Sequence, residues 1–167
     1  MSISDDISKI KQQELELRFP SFSEDDAWKL GIQMRAAAQT RKLPLVIDIR
    51  IGKRQLFYTA LAGTVPDNDE WVRRKSNSVQ RFHKSSYRIG RELEADGKTL
   101  ASDRYVDESD YASHGGGFPV FVIGAGVVGA VTVSGVPQRQ DHGFVVEQLC
   151  IYLKKDHASL ALAPESK

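Results

Sequence analysis

The chain has 167 residues, of which 41% are hydrophobic and 27% are charged, and its formal net charge is +1. These values predict one soluble globular domain and exclude a general electrostatic attraction to nucleic acid or to anionic membranes. The single cysteine, Cys150, rules out an intrachain disulfide and fits a reducing compartment.

The amino-terminal segment, residues 1–19, is predicted to form an amphipathic helix that ends before Phe19-Pro20. Its apolar residues recur near helical spacing: Ile3, Ile7, Ile10 and Leu17. The segment lacks the continuous apolar core of a signal peptide, and no later apolar run approaches the roughly 20 residues of a membrane helix. We therefore expect a cytoplasmic protein with no membrane partner.

A second helix and a first β-hairpin are predicted between residues 23 and 61. Ser23 precedes three acids, which indicates an N-cap, and Pro44 disfavours helix at the residue before it. The runs 45–51 and 55–61 are rich in β-branched and aromatic residues, and Gly52-Lys53-Arg54 joins them. This pattern indicates a hairpin.

Residues 71–91 are predicted to form one helix with a basic face, because they contain seven Lys or Arg and no Asp or Glu. The preceding Asp67-Asn68-Asp69 is well suited to cap it. The balanced net charge and the lack of a recognised binding module argue against nucleic acid as a partner. We expect a solvated face, or one that pairs with acids of another subunit.

The opposite side of this helix carries the first candidate site residues. Its buried stripe contains Val72, Val79, Phe82 and Ile89, and Lys75 and Ser86 fall on the same stripe. Burying a lysine is costly unless it is paired or faces a ligand. Lys75, Ser86 and the neighbouring His83 are therefore candidates to face a pocket between helix and sheet. The alternative for Lys75 is a side chain that extends to the surface.

Residues 111–142 hold seven of the thirteen glycines. Gly124–Gly129 matches the G-x-G-x-x-G pattern of dinucleotide sites, in which a helix starts beside the phosphates. Valine and threonine dominate the following residues, and the remaining chain is too short for further βαβ units. We predict instead a β-hairpin in which Val120–Ile123 pairs with Val127–Val133 and the glycines form the turn.

The segment His114-Gly115-Gly116-Gly117 resembles the oxyanion-hole segment of lipases, but the chain has no G-x-S-x-G nucleophile elbow. Because paired strands bring the two ends of a hairpin together, His114 is expected near the segment Ser134–His142, as a pocket wall. Asp141 is predicted to cap the last helix, with His142 in its first turn. Residues 158–167 are predicted to form a flexible tail.

Three motifs resemble those of the GlcG/HbpS-like family, often labelled the haem-degrading domain: Arg81-Phe82-His83-x-Ser85-Ser86, His114-Gly115-Gly116-x-Phe118-Pro119 and Val133-Ser134-Gly135-Val136-Pro137-Gln138-x-x-Asp141-His142. The resemblance covers residues 20–157. It implies an α+β, profilin-like fold, with an antiparallel β-sheet flanked by α-helices in a single domain, commonly assembled into homo-oligomers. It implies haem or another small cofactor as a ligand, but not haem cleavage.

Two functions of different classes are compatible with these features. In the first, the protein binds a haem-like or anionic small molecule in a pocket between the glycine-loop hairpin and the basic helix. The candidate ligand-binding residues are Lys75, His83, Ser86, His114, Gly116, Gly117, Ser134, Asp141 and His142. In the second, it is an oligomeric interaction protein without catalytic activity, whose basic helix and hairpin edge form subunit contacts. The spacing of the histidines predicts no metal site, and no residue is identified as catalytic.

Overall fold

The secondary structure consists of one antiparallel sheet and helices on both sides of it. The computed structural model describes residues 2–164. The strands are β1 (Val46–Ile51), β2 (Arg54–Ala60), β3 (Gly117–Val122) and β4 (Gly126–Ser134), in the spatial order β2-β1-β4-β3. The helices are α1 (Ile3–Glu16), α2 (Glu24–Thr40), α3 (Pro66–Phe82), α4 (Ser86–Asp96), α5 (Gln138–Leu153) and α6 (His157–Leu160), and a π-helical turn spans Leu100–Arg104.

The glycine-rich segment forms the predicted hairpin. Strands β3 and β4 pair antiparallel, with Gly117 opposite Thr132 and Val122 opposite Gly126. The turn uses Gly124 and Gly126, both at a φ of +87°, a conformation that residues with a β-carbon rarely adopt. Gly126 begins a strand, so the prediction that these glycines bend a ribbon is confirmed. The first predicted hairpin, β1–β2, is also confirmed.

Helices cover both faces of the sheet. On one face α2 and α5 enclose the main core, which includes Ile47, Phe118 and Val131 from the strands. On the other face α3 packs against β3 and β4, while α1 packs against α4. The predicted class, an α+β single domain with an antiparallel sheet flanked by helices, is confirmed. Within the described residues no helix has both the length and the apolar character needed to cross a membrane.

The predicted basic helix over residues 71–91 is two helices, because the chain turns at His83. His83 has a left-handed φ of +55° and ends α3. Ser85 then caps α4 by accepting a hydrogen bond from the Arg88 amide at 3.3 Å. The Ser85 amide itself donates to Oε1 of Glu14 in α1 at 2.8 Å. These contacts compete with helix continuation, so the prediction of one helix was wrong.

The carboxyl-terminal part of the chain also differs from expectation. The last long helix begins at Gln138 and not at Asp141, so Asp141 lies in its first turn. The Asp141 side chain accepts a hydrogen bond from the Val136 amide, which precedes the helix, at 3.1 Å. Within the predicted flexible tail, α6 instead packs onto the domain: Leu160 is fully buried, and its carbonyl accepts from Nε2 of Gln13 at 2.7 Å. Residues 165–167 of that tail lie outside the described residues.

Candidate ligand-binding site

Lys75 and Asp141 form a buried ion pair beside the end of β4. Nζ of Lys75 lies 2.9 Å from Oδ2 of Asp141 and also donates to the carbonyl of Val133 at 3.0 Å. The two charged side chains are only 3% and 2% exposed. Burial lowers the pKa of Lys75 and raises that of Asp141, and in both cases it outweighs the attraction between the two charges.

The ammonium of Lys75 has one N–H that these contacts do not use. An ammonium carries three donors, and the carboxylate and the Val133 carbonyl take two of them. Both oxygens of Asp141 already have a partner, because Oδ2 accepts from Lys75 and Oδ1 accepts from the Val136 amide. A molecule that reached the pair would therefore find one unused donor on Lys75 and no carboxylate oxygen without a partner.

A cavity of about 230 Å³ opens onto this pair, between α3, the loop that precedes β3 and the start of α5. Its lining consists of Asn68, Trp71, Lys75, His114, Ser134, Gly135, Val136, Gln138 and Asp141. Helix α5 begins at Gln138 without a side-chain cap. The unpaired amides of a helix start favour negative charge, and here they lie beside the Lys75–Asp141 pair, since Asp141 is in the first turn of α5.

His114 and Trp71 form the outer wall of the cavity. Their ring centroids are 4.8 Å apart and the rings meet edge to face at 72°. The guanidinium of Arg74 lies over the Trp71 ring, 4.1 Å from its centroid. Burial of part of the imidazole lowers the pKa of His114 below 6.5, and the charges of Lys75 and Arg74 lower it further. The imidazole is therefore neutral at pH 7 and offers one donor and one acceptor.

Two glycines in this region leave space that a β-carbon would fill. Gly116 has a φ of +129°, and a β-carbon there would lie 2.8 Å from Nζ of Lys75. A β-carbon on Gly117 would lie 2.9 Å from Cγ2 of Val79 in α3. The first glycine thus leaves the ammonium accessible, and the second allows α3 to pack closely on the sheet.

The nine residues selected from the sequence separate into three groups. Those at the cavity are Lys75, His114, Ser134 and Asp141, with Gly116 against the ammonium. Ser86 and Gly117 lie behind it: Oγ of Ser86 donates to the His114 carbonyl at 2.5 Å and accepts from the Gly117 amide at 3.0 Å. Their role is to fix the glycine loop. His83 and His142 lie elsewhere.

His142 is a core residue. It is 1% exposed, and its Nε2 lies 2.8 Å from Oε1 of Gln13. Burial lowers its pKa to about 3, with a smaller contribution from Arg139. Its Nδ1 is buried and has no hydrogen-bond partner among the described residues. The imidazole is thus neutral and enclosed, as expected of a structural histidine.

His83 faces a separate groove of about 500 Å³ between α1 and the glycine hairpin. Apolar side chains line part of it: Leu15, Pro119, Phe121 and Val127. Its cations include Lys11, Arg18 and Arg88, and the guanidinium of Arg18 lies 3.8 Å from the centroid of the Phe121 ring. In the described part of the chain no three His, Cys, Asp or Glu residues form a group that could hold a metal ion.

Five residues that line the cavity were not among the nine candidates, namely Asn68, Trp71, Gly135, Val136 and Gln138. Of these, Gly135, Val136 and Gln138 lie in the segment Ser134–His142 that was expected to form a pocket wall. Trp71 was detectable, because it lies four residues before Lys75 and therefore on the same helix face. Asn68 was interpreted only as part of a helix cap, and its Oδ1 does accept from the Val65 amide at 2.9 Å. Gln138 enters the cavity because α5 begins earlier than predicted.

Comparison with known proteins identifies the family. The model of the family described as "Haem degrading protein HbpS-like" matches residues 22–150. The chain belongs to this HbpS-like family, which confirms the resemblance found in its motifs. A UPF0303 protein of Paraburkholderia phytofirmans is 49% identical over 163 residues, covering 98% of this chain and 99% of that protein. A UPF0303 protein of Burkholderia cenocepacia is 51% identical with the same coverage.

Solved structures show the same fold. The crystal structure of the Ybr137w protein has a TM-score of 0.82 and 29% identity, over 89% of this chain and 87% of that chain. HbpS has a TM-score of 0.63 and 19% identity, over 79% and 89%. A PduOC complex with haem has a TM-score of 0.66 and 16% identity, over 79% and 94%.

Proposed function

We propose that the protein binds a small planar carboxylate in the cavity above Lys75. The observation that carries the proposal is the Lys75 ammonium, which is buried at the cavity and retains one unused N–H. A charge-assisted hydrogen bond from a buried ammonium is stronger than one in water. A carboxylate or carbonyl oxygen is the natural acceptor.

The shape of the cavity limits the rest of the ligand. Its 230 Å³ lies below the roughly 300–1,000 Å³ of pockets for drug-sized ligands, so one ring or a short chain is the largest group that fits. The indole of Trp71 and the neutral imidazole of His114 offer flat surfaces for a ring. The uncapped start of α5 adds a favourable potential for the negative charge.

Benzoate is a suitable probe, because it combines one ring with one carboxylate. Isothermal titration should detect benzoate binding, and benzyl alcohol, which lacks the carboxylate, should bind at least about tenfold more weakly. Trp71→Ala and His114→Ala should each weaken benzoate binding, and His157→Ala, at a histidine outside this cavity, should not. Equal affinity in all variants, or no benzoate binding by the wild type, would contradict the proposal.

A haem-type ligand is a second candidate, and the groove at His83 fits it better than the Lys75 cavity. The groove has about twice the volume and combines one histidine with apolar walls and several cations. An iron porphyrin needs an axial ligand, an apolar slot and partners for its propionates, and these residues provide such groups. We consider haem because the family description names it and because the structurally similar PduOC was solved as a complex with haem.

Absorbance titration with haemin separates the two sites. His83→Ala should abolish the shift of the haem absorption band, and His114→Ala should leave it unchanged. A shift that survives in His83→Ala would remove His83 as an axial ligand. Loss of the shift in His114→Ala alone would place haem at the Lys75 cavity and contradict the assignment by volume.

A further inference from the structure

Lys75 combines burial with a place in the wall of a cavity. Lysines are almost never fully buried, because their ammonium groups are strongly hydrated, yet this side chain is only 3% exposed. Its Nζ donates to the carboxylate of Asp141 and to the Val133 carbonyl, which leaves one of three positions on the nitrogen unused. Gly116 has no side chain that could occupy the space beside Nζ. A small molecule in the cavity can therefore contact this nitrogen.

The Lys75–Asp141 pair can exchange a proton. Nζ and Oδ2 are 2.9 Å apart, which is the hydrogen-bond distance needed for direct proton transfer. Burial lowers the pKa of Lys75 and raises the pKa of Asp141, so it favours the uncharged form of both groups. Transfer of a proton from the ammonium to the carboxylate gives these two forms. The resulting amine has a lone pair and is a nucleophile, which an ammonium is not.

The charges around Lys75 act on its pKa in both directions. Asp141, from α5, raises the pKa, whereas Arg74, the preceding residue of α3, lowers it. His114, in the loop before β3, adds no charge at pH 7, because its own pKa lies below 6.5. Burial is the largest influence, and the pKa of Lys75 is lowered overall. Desolvation beside another cation is a combination that activates lysines as nucleophiles in enzymes.

We propose that Lys75 condenses with a small aromatic aldehyde to form an imine, and that Asp141 transfers the protons. This inference rests on the proposed function, because it uses the same cavity and the same unused position on Nζ. An aldehyde oxygen accepts a hydrogen bond as a carboxylate oxygen does, and a single ring matches the cavity of about 230 Å³. Unlike a carboxylate, the aldehyde also presents an electrophilic carbon beside that oxygen.

The condensation needs no oxidant, reductant or further reactant. Asp141 first takes a proton from the ammonium, and rotation about the Cε–Nζ bond turns the lone pair of Lys75 to the cavity. The nitrogen attacks the aldehyde carbon, so that a C–N bond forms and the π electrons of the carbonyl move to its oxygen. This oxygen takes a proton from the nitrogen and becomes a hydroxyl. Asp141 protonates the hydroxyl, which leaves as water while the nitrogen lone pair forms the C=N bond.

The products are one water, a protonated imine on Lys75 and the ionised carboxylate of Asp141. The net charge of the pair is therefore the same before and after the reaction. The positive imine nitrogen keeps the carboxylate as its partner, so the buried charge of Asp141 stays compensated.

Reductive trapping with benzaldehyde tests the inference. Cyanoborohydride adds a hydride to the C=N bond and thereby fixes a benzyl group on the lysine. After incubation of the full chain at pH 7, peptide mapping by mass spectrometry gives the labelling rate of each lysine. Lys75 should be labelled at least about tenfold faster than Lys53, since an ordinary lysine, with a pKa of about 10.4, is almost entirely protonated at this pH. Lys53 is an exposed lysine between β1 and β2.

Two variants serve as controls for the assignment. Lys75→Met should lose the fast labelling, and Lys53→Met should keep it. The mapping of the wild type decides the question by itself, so the result does not depend on the folding of Lys75→Met. Labelling of Lys75 in the wild type at the rate of Lys53, or more slowly, would overturn the inference.

Benzoate separates this inference from the proposed function. Excess benzoate should slow the labelling of Lys75 and leave that of Lys53 unchanged, because it occupies the same cavity. Fast labelling of Lys75 that benzoate does not slow would support the imine and contradict the binding of a carboxylate there. Benzoate binding in the calorimeter without fast labelling of Lys75 would overturn the imine and leave the binding proposal intact.

Discussion

The burial of His142 predicts a specific loss of stability in acid. In the folded protein its pKa is about 3, because the ring is enclosed in the core, and the ordinary value is 6.5. Between these two values the unfolded chain binds one more proton than the folded chain. The contribution of the neutral His142 ring to the free energy of unfolding is therefore fully present above pH 6.5 and is lost as the pH falls towards 3. At about 1.4 kcal/mol per pH unit, the loss is roughly 2 kcal/mol at pH 5 and about 4 kcal/mol at pH 3, where the folded ring is itself half protonated.

The substitution His142→Gln removes the titrating ring. Urea unfolding at pH 7 and at pH 5 gives the free energy of unfolding for each protein. The decrease between the two pH values should be about 2 kcal/mol smaller in the variant than in the wild type. Gln13→Met is the control: it removes the partner of Nε2 but leaves the imidazole, so it should lower stability and keep the wild-type pH dependence. The same pH dependence in His142→Gln and the wild type would refute the reasoning.

Further predictions concern packing and the buried pair. Lys75→Met should lower the free energy of unfolding by about 3–5 kcal/mol, because it leaves the carboxylate of Asp141 buried without its partner. A loss below about 1 kcal/mol would mean that the Asp141 carboxyl is simply protonated in the variant. Gly129→Ala should lower the free energy of unfolding by at least about 2 kcal/mol, because its β-carbon would overlap the backbone of Arg50. Gly143→Ala in helix α5 should raise it by about 0.5–1 kcal/mol, because nothing lies within 4 Å of the added β-carbon. Thermal melting measures the change in stability of each of these three variants. Burial raises the pKa of Cys150 to about 11, so its thiol should react with Ellman's reagent at pH 8 only after denaturation.

The sequence was sufficient for features that depend on local pattern. The glycine hairpin followed from valines and threonines after Gly126, and Lys75 stood out because a lysine interrupted an apolar helical stripe. The helix break at His83 was not predictable in the same way, since it depends on the contact between Ser85 and Glu14 in another helix.

The roles of the histidines depended on tertiary structure for the same reason. Nothing near His142 in the sequence indicates that Gln13 contacts its ring, because that contact joins residues 129 positions apart. His114 and His83 line different cavities, and the Ser86 hydroxyl ties the glycine loop to α4. Periodicity can assign a residue to a helix face, but it does not show which other element covers that face.

The central claim is that the unused N–H of Lys75 binds an oxygen of a small planar molecule. A crystal structure of the protein with benzoate tests it most directly. We predict electron density for benzoate in the cavity, with a carboxylate oxygen within about 3 Å of Nζ of Lys75 and the ring against Trp71. Benzoate bound only elsewhere, or a cavity that stays empty at saturating benzoate, would contradict the claim.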